Sequence, residues 1–209
     1  MKKVKWKGGA LISPVPPVMV TCGTLENPNV ITIAWTGILN TIPPKTYISV
    51  RPSRFSYQIL KETKEFVINL TTTDLVRAAD FCGVKSGRDC NKLELMNLTV
   101  QSASDVNAPL LEQSPVSLEC RVTEIVPLGS HDMFIADIIA VNVAEELIDE
   151  AGKLCLDKCN LIAYSHGEYF ELGRKLGTFG FSVKKPVKNK KRNNKSIPKS
   201  QNCNIKKNK

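Results

Sequence analysis

The sequence predicts a mainly β protein: an antiparallel barrel with short helices packed against its outside. Three observations carry that expectation. β-rich runs outnumber helical ones, and the two longest are joined by a tight turn at Pro127-Leu128-Gly129-Ser130-His131-Asp132. No repeat of about 34 or about 40 residues marks a solenoid or a propeller, and a mainly antiparallel barrel is the shape these runs imply.

Each element has a local reason. Residues 18–22 (Val-Met-Val-Thr-Cys) follow a proline-rich approach and read as a strand. Residues 30–35 alternate large and small side chains after the turn Asn27-Pro28-Asn29. Residues 46–50 follow Pro43-Pro44, and residues 65–70 form another β-rich run. In 116–123, Val116, Leu118, Cys120 and Val122 alternate with Ser117, Glu119, Arg121 and Thr123, which predicts one buried and one wet face. Residues 133–143 are more apolar and suit a central strand. Two helices are predicted. Ser53 caps the first, with Phe55, Ile59 and Glu62 at helical spacing; Thr73 caps the second, with Asp74 in its first turn and Gly83 at its exit.

The net charge of +9 is unevenly placed. Eleven of the 29 Lys and Arg lie in residues 184–209, which hold none of the 20 acidic residues. The first 183 residues therefore carry 18 basic against 20 acidic side chains and are nearly neutral. This divides the chain into a domain, 1–183, and a basic tail, 184–209, too poor in apolar residues to offset its ordering entropy. The tail could bind nucleic acid through phosphates, but it lacks the aromatic residues that stack on bases, so a solubilising extension is the expectation.

The basic start Met1-Lys2-Lys3-Val4-Lys5-Trp6-Lys7 is followed by Pro14, Pro16 and Pro17, which interrupt any apolar core of a signal peptide. The longest apolar stretch, 134–144, is broken by Asp137 and Asn142, so no membrane span is expected and the cytoplasm is the expected location. Seven cysteines with irregular spacing argue against a disulfide framework, and the two histidines, His131 and His166, lie in no ligand cluster. Neither Cys155 nor Cys159 is assigned a role, and no metal is expected.

Chemistry concentrates in Ser49-Val50-Arg51-Pro52-Ser53-Arg54-Phe55-Ser56, where a strand gives way to a helix. Two guanidiniums and three hydroxyls at a helix start suit a phosphate, although the same residues suit an ordinary capped helix with surface arginines. The loop Cys82-Gly83-Val84-Lys85-Ser86-Gly87-Arg88-Asp89-Cys90-Asn91-Lys92 could form an anion-binding concavity or simply a charged surface loop. The run Thr32-Ile33-Ala34-Trp35-Thr36-Gly37 would let a flat ring approach, or serve as a plain barrel strand with Trp35 in the core. No nucleophile elbow and no histidine–carboxylate–nucleophile set is visible; if the chain is an enzyme, its demanding chemistry belongs to a bound cofactor.

Taken in order, these segments, together with Glu65-Phe66-Val67-Ile68-Asn69-Leu70 and Gly129-Ser130-His131-Asp132, resemble the flavin reductase-like family with its FMN-binding split barrel, most closely the flavoredoxin branch. The resemblance runs from about Gly9 to Lys185. It implies a Greek-key-like split β-barrel, a homodimer, and FMN held non-covalently near the subunit interface. Ser49, Val50, Arg51, Ser53 and Arg54 would hold the phosphate and ribityl end. Thr32, Ala34, Trp35 and Thr36 would lie along the isoalloxazine edge, and Ser86, Gly87 and Lys92 would close over the cofactor. His131 would stand on the nicotinamide side, and Lys92 or Arg88 would place a cation near the flavin N1 and C2 carbonyl. Asn91 and Leu93 depart from the Asp and Phe the family often carries. The implied activity is NAD(P)H-dependent flavin reduction; the alternative is an electron carrier that meets a redox protein and has no nicotinamide site.

Overall fold

The strand Val18–Gly23 (β1) is buried along its whole length, because it is covered on both faces. Val18, Val20 and Cys22 point into one core with Phe66 and Phe134, while Met19 packs on the other side with Leu75, Ala79 and Leu98. The computed structural model describes residues 1–184, and Met1–Gly173 form one compact unit, with a second beginning at Arg174. The described part of the second unit contains a single 3-10 turn, Phe181–Val183. Apart from Lys184, the expected basic tail lies outside the described residues.

The first unit continues with Pro28–Ile33 (β2), Thr36–Thr41 (β3), Pro44–Val50 (β4), the helix Phe55–Thr63 (α1) and Glu65–Asn69 (β5). Helices Val76–Val84 (α2) and Lys92–Leu95 (α3) follow, then the short pair Val100–Gln101 (β6) and Leu110–Leu111 (β7). The two long strands Val116–Pro127 (β8) and Asp132–Val143 (β9) precede a hairpin, Ile162–Ser165 (β10) and Glu168–Glu171 (β11).

Seven strands form one antiparallel sheet in the order β2-β1-β5-β8-β9-β4-β3. Its two outer strands, β2 and β3, are joined by only Ala34 and Trp35. In a flat sheet those edges would stand about 29 Å apart, at about 4.8 Å per strand. Three peptide steps span at most about 11 Å. The sheet must therefore roll until its edges meet, leaving a barrel split along one seam. Register shifts in β8–β9 at Glu119/Cys120 and Val122/Glu124 supply bends that help it curl.

Four local expectations are corrected. The α1 N-cap is Arg54, not Ser53, and no side chain caps that end. Helix α2 begins at Val76 after a turn in which Thr72 and Thr73 carbonyls accept from Leu75 and Val76; the N–H of Thr73 instead donates to Asn160. It also runs through Gly83 to Val84. The run from Thr32 to Thr36 is two strands and a link, so Trp35 is half exposed rather than a core residue. Finally, Ser117 and Glu119 are buried, not wet. The segment around 104–106 crosses that face, and Glu119 accepts from the N–H groups of Ser104, Asp105 and Val106 and from the Asn142 amide. Burial raises the Glu119 pKa, but those bonds outweigh it and hold the carboxyl below its ordinary value.

Candidate functional site

The uncapped start of α1 faces a cleft of about 370 Å³ lined by Arg51, Ser53, Arg54, Ser56, Lys85, Ser86, Gly87, Arg88 and Lys92. Five cations and no carboxylate line it. The Arg51 and Arg54 guanidiniums have no hydrogen-bond or ion-pair partner among the described residues, so an anion would meet no competitor there. The turn that presents them is closed by the Arg54 N–H donating to the Arg51 carbonyl.

The loop between α2 and α3 is held against α1. Arg88 donates to the Ser53 carbonyl at 3.2 Å and lies over the Phe55 ring. Gly87 is needed for this approach: a Cβ would stand 2.5 Å from Asn29 Oδ1 and 2.6 Å from Phe55 Cδ1. Asn29 cannot easily yield, because its amide donates to the Ser56 hydroxyl at 2.7 Å. Lys92 is buried and donates to the Cys82 carbonyl at 3.2 Å. Desolvation lowers its pKa from the ordinary lysine value, opposed by the nearby thiols and reinforced by Arg54.

This cleft opens into a second, of about 310 Å³, through Ile31, Arg51 and Arg54, which line both. The second is different in character. Its floor is β2 and the link after it, with Thr32, Ala34 and Trp35; Ser49, Val50 and His131 stand on the β4–β9 side. Because β2 is an edge strand, backbone groups on its outer side are not consumed by a neighbouring strand. The Thr32 hydroxyl is spoken for, donating to the Ala79 carbonyl. His131 Nδ1 lies 2.9 Å from the Ser130 hydroxyl. Burial, then Arg51 and Arg54, push its pKa below the ordinary histidine value, so the ring is neutral at neutral pH.

Of the residues singled out in the sequence, Thr32, Ala34, Trp35, Ser49, Val50 and His131 line the second cleft. Ser53, Ser86, Gly87 and Lys92 line the first, and Arg51 and Arg54 line both. Thr36 lines neither: it is buried in β3 and its hydroxyl donates to the Tyr47 carbonyl. Lys92 and Arg88 belong to the anion cleft and not to the second, whose cations are Arg51 and Arg54.

Sequence reasoning missed the wall contributed by the last hairpin. Tyr164 and Tyr169 line the second cleft and meet edge to face, with centroids 5.3 Å apart. The Tyr169 hydroxyl donates to Asp80 at 3.2 Å, and burial together with Asp80 pushes its pKa up to about 12. The available signal was His166-Gly167: both adopt positive φ, 51° and 95°, between the paired ends Ser165 and Glu168, the geometry of a two-residue hairpin loop.

A polyanionic head fits the first cleft and a flat, largely apolar ring system fits the second, the two joined by a polar neck. Residues 11–173 match the family model described as "Flavin reductase like domain". Among solved structures, the chain is similar to flavoredoxin of Desulfovibrio vulgaris (Miyazaki F), with TM-score 0.81 and 26% identity, covering 88% of this chain and 100% of that one. Flavoredoxin from Methanosarcina acetivorans shares the fold at TM-score 0.78 and 24% identity, over 88% and 100% of the two chains. An NADPH-flavin oxidoreductase of Streptomyces viridifaciens is 23% identical over 128 residues, 60% of this chain and 65% of its own length. With its rolled seven-stranded sheet, its paired clefts and a family match across most of its length, this chain belongs to the flavin reductase-like family.

Proposed function

We propose that the joined clefts hold one FMN and that the protein is a flavin-dependent oxidoreductase. It takes a hydride from NADH or NADPH and hands two electrons on to a small acceptor. The observation that carries this reading is the division of charge along the site. Five cations without a carboxylate surround the end where a phosphate would lie, and they give way to an apolar floor and an open strand edge.

When bound, FMN supplies a ring that accepts hydride at N5 and returns electrons in pairs or singly. The chain's own residues orient and shield it. Arg51, Ser53, Arg54 and the start of α1 grip the phosphate, and Lys92, Ser86 and Gly87 close that end. Ala34, small and on the edge link, admits the ring face, while Tyr164 and Tyr169 limit water from the hairpin side. No strong acid or base is required, since close stacking and dryness govern hydride transfer. Neutral His131 borders the space where a nicotinamide would stack.

The similarity to a flavoredoxin at 26% identity favours a second reading, an electron carrier that serves a redox protein without a nicotinamide site. Mixing the flavin-loaded protein anaerobically with NADH or NADPH separates the two. Bleaching within seconds supports the reductase; bleaching only by a reduced protein partner supports the carrier; a colourless protein that takes up no FMN overturns both. We assign the active form as a homodimer in the cytoplasm; the exposed Ile38 and Leu39 of edge strand β3, with Ile42 just after it, offer an apolar face to a second copy, and light scattering at one-chain mass would reverse the dimer assignment.

A further inference from the structure

Beside the ring cleft lies a recess of about 290 Å³ that nothing in the preceding reading uses. Ala34, Trp35 and Ser49 belong to both spaces. Tyr47 completes the barrel side, and Ile12 and Val15 of the N-terminal segment form the opposite wall. That wall is anchored: the Val15 N–H donates to the Tyr164 carbonyl at 2.9 Å, and the Tyr164 N–H returns a bond to Val15 at 2.8 Å. The segment thus ties the recess to the hairpin that borders the ring cleft.

The lining carries no Lys, Arg, His, Asp or Glu. This separates it from the anion cleft, where cations predominate. A nicotinamide dinucleotide placed here would leave its pyrophosphate without a counter-charge, a costly arrangement. Two large aromatic side chains stand in the recess, and Trp35 remains 40% exposed. The polar side-chain atoms available are the Trp35 indole N–H and three hydroxyls. That of Thr36 is committed to the Tyr47 carbonyl, whereas those of Tyr47 and Ser49 are bonded to no other described residue. Apolar aromatic walls with two hydroxyl donors suit a flat ring that bears carbonyl oxygens and no charge.

We infer that this recess is the acceptor site and that its substrate class is the uncharged quinone. The inference rests on the FMN reading for its source of electrons. A quinone that gains two electrons and two protons becomes a hydroquinone, its two carbonyls converted to hydroxyls. The group oxidised is the reduced flavin, which releases two electrons and one proton; water supplies the second proton. Tyr47 and Ser49 orient the ring by donating to its carbonyl oxygens, and Trp35 provides the stacking face.

The test uses the full chain as purified and two probes of similar shape, 2-methyl-1,4-naphthoquinone and 1,4-naphthoquinone-2-sulfonate. Tryptophan fluorescence quenching is followed as a titration of the oxidised protein, and FMN content is read separately by absorbance. The expected result is saturable quenching in which the neutral quinone binds at least tenfold more tightly than the sulfonate. Ile12→Glu, at a position 88% exposed and therefore free of folding consequences, should weaken the neutral quinone at least tenfold and leave FMN affinity unchanged. Equal binding of the two probes, quenching that never saturates, or indifference to Ile12→Glu overturns the assignment. Charge-selective quenching in a protein that binds no FMN would keep the recess as a quinone site but remove its electron source, overturning the acceptor role through the flavin reading alone.

Discussion

The two ends of the cleft solve opposite problems. The anion end gathers Arg51, Arg54, Lys85, Arg88 and Lys92 around a helix start, with no carboxylate to neutralise them. The ring end is walled by Ile31, Ala34, Trp35, Tyr164 and Tyr169, with Asp80 already engaged by Tyr169. In the proposed reading the first end would bind by charge and the second mainly by shape, with Arg51 and Arg54 bordering both. Substitutions at the first should therefore change affinity, and substitutions at the second should change what reacts.

The sharpest way to break this contrast is to remove the charge. In the double variant Arg51→Ala/Arg54→Ala, two charge-assisted contacts of about 1.5–3 kcal/mol each disappear. FMN affinity should fall at least about a hundredfold, measured by flavin fluorescence titration. Riboflavin, which has the ring and no phosphate, should bind wild type and variant alike. A parallel loss of riboflavin affinity would show that the two ends are not separable.

Next in size is the close approach of the loop to α1. Gly87→Ala forces a Cβ against the pinned Asn29 and the Phe55 ring. Overpacking of this kind costs about 1–3 kcal/mol. With the loop displaced, FMN affinity should drop about tenfold, and the thermal midpoint should fall by about 2–4 °C for each kcal/mol of strain. Unchanged affinity would mean that the loop does not close on the phosphate.

A smaller effect comes from pH. Burial lowers the Lys92 pKa below the ordinary 10.5. A bound phosphate favours the charged form, so FMN affinity should fall a few-fold as pH rises through that lowered value. Arg51 and Arg54 supply the remainder. The unliganded fold behaves oppositely: the unfolded chain holds the Lys92 proton to higher pH than the folded chain does, so this residue's contribution to stability improves as pH rises through the same window. In Lys92→Met the alkaline fall in affinity should vanish.

The same contrast explains what could be read in the sequence. The anion end is local: Ser49 to Ser56 is one corner of the chain and Ser86 to Lys92 one loop, so residue type and spacing made a phosphate reading possible there and the family resemblance selected it. The ring end is assembled from β2, β4, α2, β9 and the final hairpin, with Ile31 and Tyr169 standing 138 residues apart in the chain. Thr32 and Trp35 entered the expected site through the family resemblance, since the alternation of small and large residues there fits a plain barrel strand as well. Thr36 was misplaced because alternation continues across a two-residue link that carries the chain from one sheet edge to the other. Glu119 was misread for a related reason. Its place in the alternation is that of a solvent-facing residue, and only the segment around 104–106, folded over that face, supplies the N–H groups that make its burial tolerable. Barrel closure itself was legible as a class, whereas the strand order was not, since pairing β5 with β1 and β8 depends on contacts between distant parts of the chain.

The smallest expected effect joins the two ends. His131 belongs to the ring end, yet after burial the causes that lower its pKa are Arg51 and Arg54. A neutral imidazole above about pH 6.5 neither attracts nor repels a phosphate, so His131→Asn should leave FMN affinity within about twofold. Flavin bleaching by a nicotinamide should then be flat with pH from about 6.5 to 8 in the wild type. Removing the guanidiniums relieves part of the electrostatic pressure on the ring, and in Arg51→Ala/Arg54→Ala the His131 titration followed by NMR should move upward toward the ordinary value. Burial remains and keeps the recovery incomplete. If the titration does not move, the arginines do not act on the ring across the neck, and the two ends are electrically independent as well as chemically distinct.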